Sequence, residues 1–323
     1  MRSLSVFYES VFGYKTYKLS LDACCTCPNR DGTKGTGGCI FCSERGSGDF
    51  AASCALSIKE QVEQAKKRVE SKIRGRSGKR DGKYIAYFQN FTSTYGNPQL
   101  LLKKYTDALA CDGVVGLALA TRPDCLSDEI LSGITHIAQN KFVQIELGLQ
   151  TSNEKTGKYI NRCYTNEDYI SAVQRITSAC PAIHIVTHLI FGLPGETEDD
   201  MLESVRFVLK HAENKNYRNQ CMSLDNNSFF GIKITSLYVV KNTRLAELYK
   251  NGEYEPLSKE AYISLIKKTL PILPENCVIH RLTGDPPKST LIAPAWTTDK
   301  KRILNELKQL VTEKASSSSK NNL

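Results

Sequence analysis

Three cysteines and the glycine-rich stretch between them are where this sequence could do chemistry. Cys27 is followed by eleven residues rich in Gly, Asn, Asp and Thr, then by the tight pair Cys39-Ile40-Phe41-Cys42. Three thiolates are one fewer than a closed tetrahedral zinc site takes. Thiolates are also the usual ligands of iron–sulfur clusters, and a cubane held by only three of them keeps one iron open for another ligand. The spacing therefore predicts a three-cysteine [4Fe–4S] site with an open iron. A zinc site completed by a distant fourth ligand and a redox-active CxxC pair fit the same residues.

Composition narrows the setting. The chain has 323 residues, long enough for one large domain or two ordinary ones, and 41% of them are hydrophobic. No run approaches the ~18 apolar residues of a membrane span. The first residues, MRSLSVFYESVFGYK, lack the apolar core of a secretion signal. The expectation is a soluble, cytoplasmic protein whose twelve scattered cysteines are reduced thiols and metal ligands, not a disulfide framework. The 43 Lys and Arg against 34 Asp and Glu leave a formal charge of +9, which suits a polyanionic partner such as nucleic acid. Part of that excess lies in the 66–68 and 72–80 segments, which a solvated surface would explain equally well.

The elements that must position the cysteines follow from periodicity. Residues 1–15 read as an irregular or helical lead-in. Thr16–Leu21 alternates as a strand and delivers the chain into the cysteine loop, placing it beyond a strand's C-terminal end, where parallel α/β sheets bind ligands. Ser57 and Glu60 form a capping box opening a helix, and 74–83 is a basic loop. Strands are expected at Tyr84–Phe88, Val114–Ala120, Phe142–Leu149, Ile183–Phe191 and Ile232–Val240. Helices are expected from Pro98, Ser127, Asn166 and Glu196. Six strand–helix alternations predict a parallel α/β sheet, doubly wound or barrel-like. Beyond Lys241 a helix at Ser258–Leu270, a strand at Val278–Leu282 and a helix at Asp299–Val311 precede a low-complexity tail, SSSSKNNL, expected to be disordered.

Seven segments together resemble the radical S-adenosylmethionine (radical SAM) superfamily: LDACCTCPNRDGTKGTGGCIFCSERGSGDFA (21–51), AYFQNFTSTYG (86–96), ATRPDCLSDEIL (120–131), VQIELGLQTSNEKTGKYINR (143–162), THLIFGLPGETEDDMLES (187–204), GIKITSLYVVKNTRLAELY (231–249) and IHRLTGDPPKSTLIAPAW (279–296). The resemblance is to the branch related to the Elongator catalytic subunit, and within it to bacterial proteins linked to wobble-uridine modification in tRNA. It implies an incomplete (β/α)6 TIM-like barrel over 16–245, with a lead-in at 1–15, a small C-terminal α/β extension at 246–312 and a tail at 313–323. The implied cofactors are a [4Fe–4S] cluster and S-adenosylmethionine (SAM), cleaved reductively to a 5′-deoxyadenosyl radical. The implied substrate is tRNA, through trimming of a carboxymethyl-type group from a modified wobble uridine. An electron donor such as flavodoxin or ferredoxin is implied as well. A radical SAM enzyme acting on a small molecule or protein, and a non-enzymatic zinc-binding adaptor, are the rival readings.

Residue by residue, the resemblance makes Cys27, Cys39 and Cys42 the cluster ligands and puts Phe41 beside the adenine. Gln89 and Asn90 would meet the methionyl amine. Arg122, Glu146 and Gln150 lie at strand ends, and Glu146, a charge in an otherwise apolar strand that must be paired to be tolerated, is the preferred ribose or amine contact. His188 and Gly192 complete the SAM set; a satisfied core histidine and a plain strand-to-helix turn are their structural alternatives. Cys163, Tyr164, His280, Arg281 and Asp285 are the candidate substrate contacts. The sequence departs from the family pattern at Cys24-Cys25, where Gly-Phe is expected, at Cys163-Tyr164, where Gly-His is expected, and at Ser93 in place of Asn.

Overall fold

The computed structural model describes residues 2–46, 48, 50–73, 82–212, 230–299 and 301–307. Its strands are β1 (Arg2–Ser3), β2 (Lys15–Leu21), β3 (Gly82–Phe88), β4 (Val114–Thr121), β5 (Phe142–Gln150), β6 (His184–Phe191), β7 (Phe230–Ser236), β8 (Val239–Val240), β9 (Cys277–Arg281) and β10 (Leu291–Ala293). The principal helices are α1 (Leu4–Phe12), α2 (Ile58–Ile73), α3 (Pro98–Leu109), α4 (Asp128–Ala138), α5 (Glu154–Tyr159), α6 (Asn166–Ala179), α7 (Glu198–Ala212), α8 (Arg244–Lys250) and α9 (Lys259–Thr269).

Among the described residues the main sheet has eight strands in the order β1-β9-β7-β6-β5-β4-β3-β2, and its pairings are all parallel. The curled sheet is the expected incomplete barrel, with two strands added at the β7 edge. The lead-in supplies β1 and α1, and the C-terminal segment supplies β9, which lies between β7 and β1. One expected strand is corrected: Ile232–Val240 is two elements. The ladder with β6 ends at Ser236, and Val239–Val240 pairs antiparallel with β10. The helix expected at Asp299–Val311 is helical at 301–307, its remainder lying outside the described residues. The 74–81 part of the basic loop and the SSSSKNNL tail also lie outside them.

Alternation decides what faces inward. Leu117 and Leu119 of β4, Val143, Ile145, Leu147 and Leu149 of β5, and Ile232 and Ile234 of β7 pack outward with Val62, Tyr105, Ile134, Tyr169 and Tyr262 of the helices, in one continuous buried cluster. The alternate residues line the interior. Phe7 and Tyr8 of α1 close its lower end with Ile85, Ala118 and Val278, and the Tyr8 hydroxyl donates to Gln144 Oε1 at 3.0 Å. Helix starts follow the sequence signals. Ser57 and Glu60 cap each other reciprocally at the start of α2, and Thr165 and Asp168 form a capping box on α6. Among the described residues no helix is long and apolar enough to cross a membrane.

Candidate functional site

The cysteine loop leaves β2 at Leu21 and folds on its own backbone. Arg30 N donates to Cys27 O at 2.8 Å, Lys34 N to Pro28 O at 2.8 Å, Gly38 N to Asn29 O at 2.8 Å and Cys42 N to Cys39 O at 2.9 Å. Two of its glycines are required by space. A Cβ on Gly35 would lie 2.3 Å from Asn29 Oδ1, and one on Gly38 would lie 2.8 Å from Arg30 Nε at a φ of 78°. The segment after α5 then clamps the loop. Ile40 N donates to Ile160 O at 3.1 Å, Asn161 Nδ2 donates to Gly38 O at 2.8 Å, and buried Asn29 donates to Asn161 O.

Around the thiols the polar groups are few and directed. Asn29 Nδ2 lies 3.8 Å from Cys39 Sγ, and Arg122 Nη1 lies 3.8 Å from Cys27 Sγ. Arg122 is locked by Asp124 at 2.8 and 2.9 Å and by the carbonyls of Arg162 and Cys163, and it lies over the Tyr164 ring. Burial, reinforced by Cys42 and Cys27, pushes the Cys39 thiol up to about 12. A thiolate there at neutral pH requires a bound cation, which the irons of a cluster supply. Among the described residues no three His, Cys, Asp or Glu side chains converge tightly enough to hold one metal ion. Cys27 and Cys42 lie near enough to Cys39 to raise its pKa, and three thiols gathered on one loop are the donor type that iron–sulfur clusters take. The donor set therefore fits the cluster.

Cys42 and Phe41 open onto a cavity of about 320 Å³ inside the half-barrel. Its walls include Gln89, Arg122, Glu146, Gln150, Tyr164, His188, Arg281 and Asp285 of the expected set. Among the described residues, three buried polar atoms on these walls have no partner: Ser43 Oγ, Gln150 Oε1 and Ser236 Oγ. Acceptors left this way are costly unless a ligand donates to them. SAM, with its amine and adenine N–H groups, carries such donors.

The structure does not bring the whole expected set together. Asn90 turns away from the cavity and donates to Asp22 Oδ2 at 2.6 Å. Gly192 lies beyond the wall, its N–H on Met201 Sδ and its carbonyl accepting from Tyr254 at 2.9 Å. Half-buried His280 lies outside the cavity lining, stacked on His184 with Nε2 atoms 2.8 Å apart. The Cys163 thiol sits beneath the cysteine loop, 3.2 Å from Asn161 Oδ1. Glu146 lines the cavity in another role. Its Oε1 accepts from Lys18 at 2.5 Å and Gln144 at 2.8 Å; its Oε2 accepts from Tyr87 at 2.7 Å and Lys233 at 3.2 Å. A carboxylate has about four acceptor positions, and this chain fills them, so Glu146 orders the cavity floor instead of reaching a ribose or amine. Burial alone would raise its pKa, but Lys18 and Lys233 outweigh that and hold it well below the usual range. His188 shares a 3.0 Å hydrogen bond with Thr235, and burial followed by Lys233 holds it well below its ordinary value, so it is neutral.

Sequence reasoning missed Lys18, Lys233 and Tyr87. Their only signal is one lysine on the inward phase of each of β2 and β7, which shows once both strands are placed in one barrel. It also missed Arg162, fully buried, whose guanidinium donates to the carbonyls of Tyr164, Leu149 and Thr151 and fixes the loop that clamps the cysteines.

Comparison with known proteins agrees with this geometry. The Radical SAM superfamily profile matches residues 31–208, and the Radical_SAM C-terminal domain matches residues 230–313. The chain is 37% identical over 314 residues to the uncharacterized protein YtqA of Bacillus subtilis (strain 168), covering 97% of this chain and 90% of that one. Over 178 residues, 55% of this chain and 30% of the relative, it is 26% identical to a tRNA uridine(34) acetyltransferase of Methanocaldococcus jannaschii. Among solved structures it superposes on Elp3 of Methanocaldococcus infernus lacking its N-terminus, with a TM-score of 0.61 and 17% identity, over 94% of this chain and 63% of that chain. That likeness is one of fold.

Proposed function

We propose, from the premise that this chain belongs to the radical SAM superfamily, that it modifies the side chain of a wobble uridine in tRNA. Enzymes of this superfamily use a [4Fe–4S] cluster and SAM, and Cys27, Cys39 and Cys42 are the residues that would hold the cluster. When bound, cluster and SAM supply one-electron cleavage of the sulfonium and, through it, hydrogen-atom abstraction from the substrate. The chain's own residues do the rest. Arg122 places a fixed positive charge beside Cys27, Phe41 walls the cavity next to Cys42, and Gln150 and Ser43 present acceptors to a bound ligand. A substrate carbon bound inside the half-barrel cavity would be walled off from part of the bulk water, which limits side reactions.

The observation that carries the substrate class is the shared stretch with a protein named for uridine 34 of tRNA. The charge of +9 supports it, since a polyanion is drawn to a basic surface. A low-potential donor of the flavodoxin or ferredoxin class would supply the electron. The test is anaerobic incubation of reconstituted protein with SAM, dithionite and bulk tRNA. The expected result is 5′-deoxyadenosine release that rises with tRNA, together with a mass change in a wobble nucleoside. Release indifferent to tRNA would move the substrate to a small molecule or a protein.

A further inference from the structure

The cavity floor carries more positive charge than its own acids balance. Lys18, Lys233 and Arg281 all point into the half-barrel, where Glu146 and Asp285 are the acids on the same walls. Arg122 on the same walls is paired with Asp124, and burial holds His188, and His280 behind the walls, well below the ordinary imidazole value, so neither adds charge. Lys18, Lys233 and Arg281 against Glu146 and Asp285 leave one positive charge over among these five groups.

That surplus has an address. Lys18 is drawn tight to Glu146 at 2.5 Å, whereas Lys233 stands off at 3.2 Å, with Tyr87 Oη at 3.4 Å. Lys233 is the register partner of Arg281 on the neighbouring strand, so two cations lie side by side and both line the cavity. Like charges directly across a sheet repel. Asp285, 4.0 Å from the Arg281 guanidinium, is too distant for a close ion pair there. An ammonium with a donor to spare beside a guanidinium is the arrangement that accepts a carboxylate.

We propose that Lys233 and Arg281 receive a carboxylate carried by the substrate, and that this pair sets specificity for an anionic over a neutral side chain. The inference rests on the enzymatic reading of this cavity and deepens it. Glu146 is then the positioning residue that keeps Lys233 in place.

The test titrates cluster-loaded protein with N-acetylglycine, its neutral counterpart N-acetylglycinamide, and inorganic phosphate, following the thermal-unfolding midpoint. N-acetylglycine is expected to raise the midpoint and the amide to leave it unmoved. Lys233→Gln and Arg281→Gln are each expected to weaken binding about tenfold to a hundredfold, Lys233→Arg to restore most of it, and Lys250→Gln, on exposed α8, to match wild type. With tRNA bearing a carboxylate on the wobble side chain, Lys233→Gln is expected to raise KM by a similar factor with kcat little changed. An equal response to the amide would overturn the proposal. An equal response to phosphate would reassign the site to a backbone phosphate, and lost SAM affinity in the two Gln variants would reassign it to the cofactor's own carboxylate; either overturns it as well. Carboxylate binding without any tRNA turnover by the wild type would sink the tRNA reading and leave this one standing.

Discussion

The cysteine loop and the cavity floor are built on opposite principles. The loop is built mainly from within: its turns are closed by backbone hydrogen bonds within Cys27–Cys42 and its shape is enforced by glycines, and the Ile160–Asn161 segment then clamps it from outside. The floor is assembled from afar. Glu146 meets Lys18 across 128 positions of sequence and Lys233 across 87, and nothing in any one segment requires the meeting. The loop can therefore be recognised from spacing and damaged by one methyl group, whereas the floor depends on the whole barrel closing and is damaged by one charge.

The largest effect should come from the loop's ligands. Cys39→Ala is expected to abolish iron and sulfide content, while Cys24→Ala and Cys25→Ala keep it; cluster loss in Cys24→Ala would overturn the ligand assignment. Next comes the floor. Glu146→Gln leaves the half-buried Lys18 and Lys233 without their shared carboxylate and is expected to cost about 3–5 kcal/mol in urea unfolding. The pH dependence follows from the lowered Glu146 pKa. Its stabilisation is full above the unfolded value near 4.3 and is lost as pH falls through the folded value. The wild type should lose more stability than Glu146→Gln on acidification below about pH 4.

Gly35→Ala sharpens the loop side. With Asn29 Oδ1 only 2.3 Å from the new Cβ, it is expected to cost about 1–3 kcal/mol and to lower cluster occupancy. Cys163→Gly should do least. Cys163 holds a φ of 57°, where a glycine is at ease, so the variant is expected to unfold within about 1 kcal/mol of wild type and to keep its cluster.

What could be read in the sequence follows the same division. Alternation and capping placed β2 to β6 and the starts of α2, α3, α4 and α6, because those signals lie within a few residues of one another. The spacing that singled out Cys27, Cys39 and Cys42 is a local signal of the same kind. Both departures from the family's glycines, Cys24 and Cys163, prove to stand at left-handed φ, so the glycine expectation had a backbone cause. The strand through Val240 was misjudged because Leu237–Val240 is as apolar as a barrel strand, and only its antiparallel partner at Leu291–Ala293 shows where it belongs. Glu146 was correctly read as needing a partner. Its partners stayed hidden because the spacing along one strand says nothing about which residue another strand brings opposite.

A cluster with one open iron at the head of this cavity is what every proposed step depends on. An EPR spectrum of anaerobically reconstituted, reduced protein, recorded with and without SAM, tests that. The expected result is a [4Fe–4S]⁺ signal that shifts when SAM is added and is absent in Cys39→Ala. A cluster signal indifferent to SAM, or zinc in place of iron in the purified protein, would contradict it.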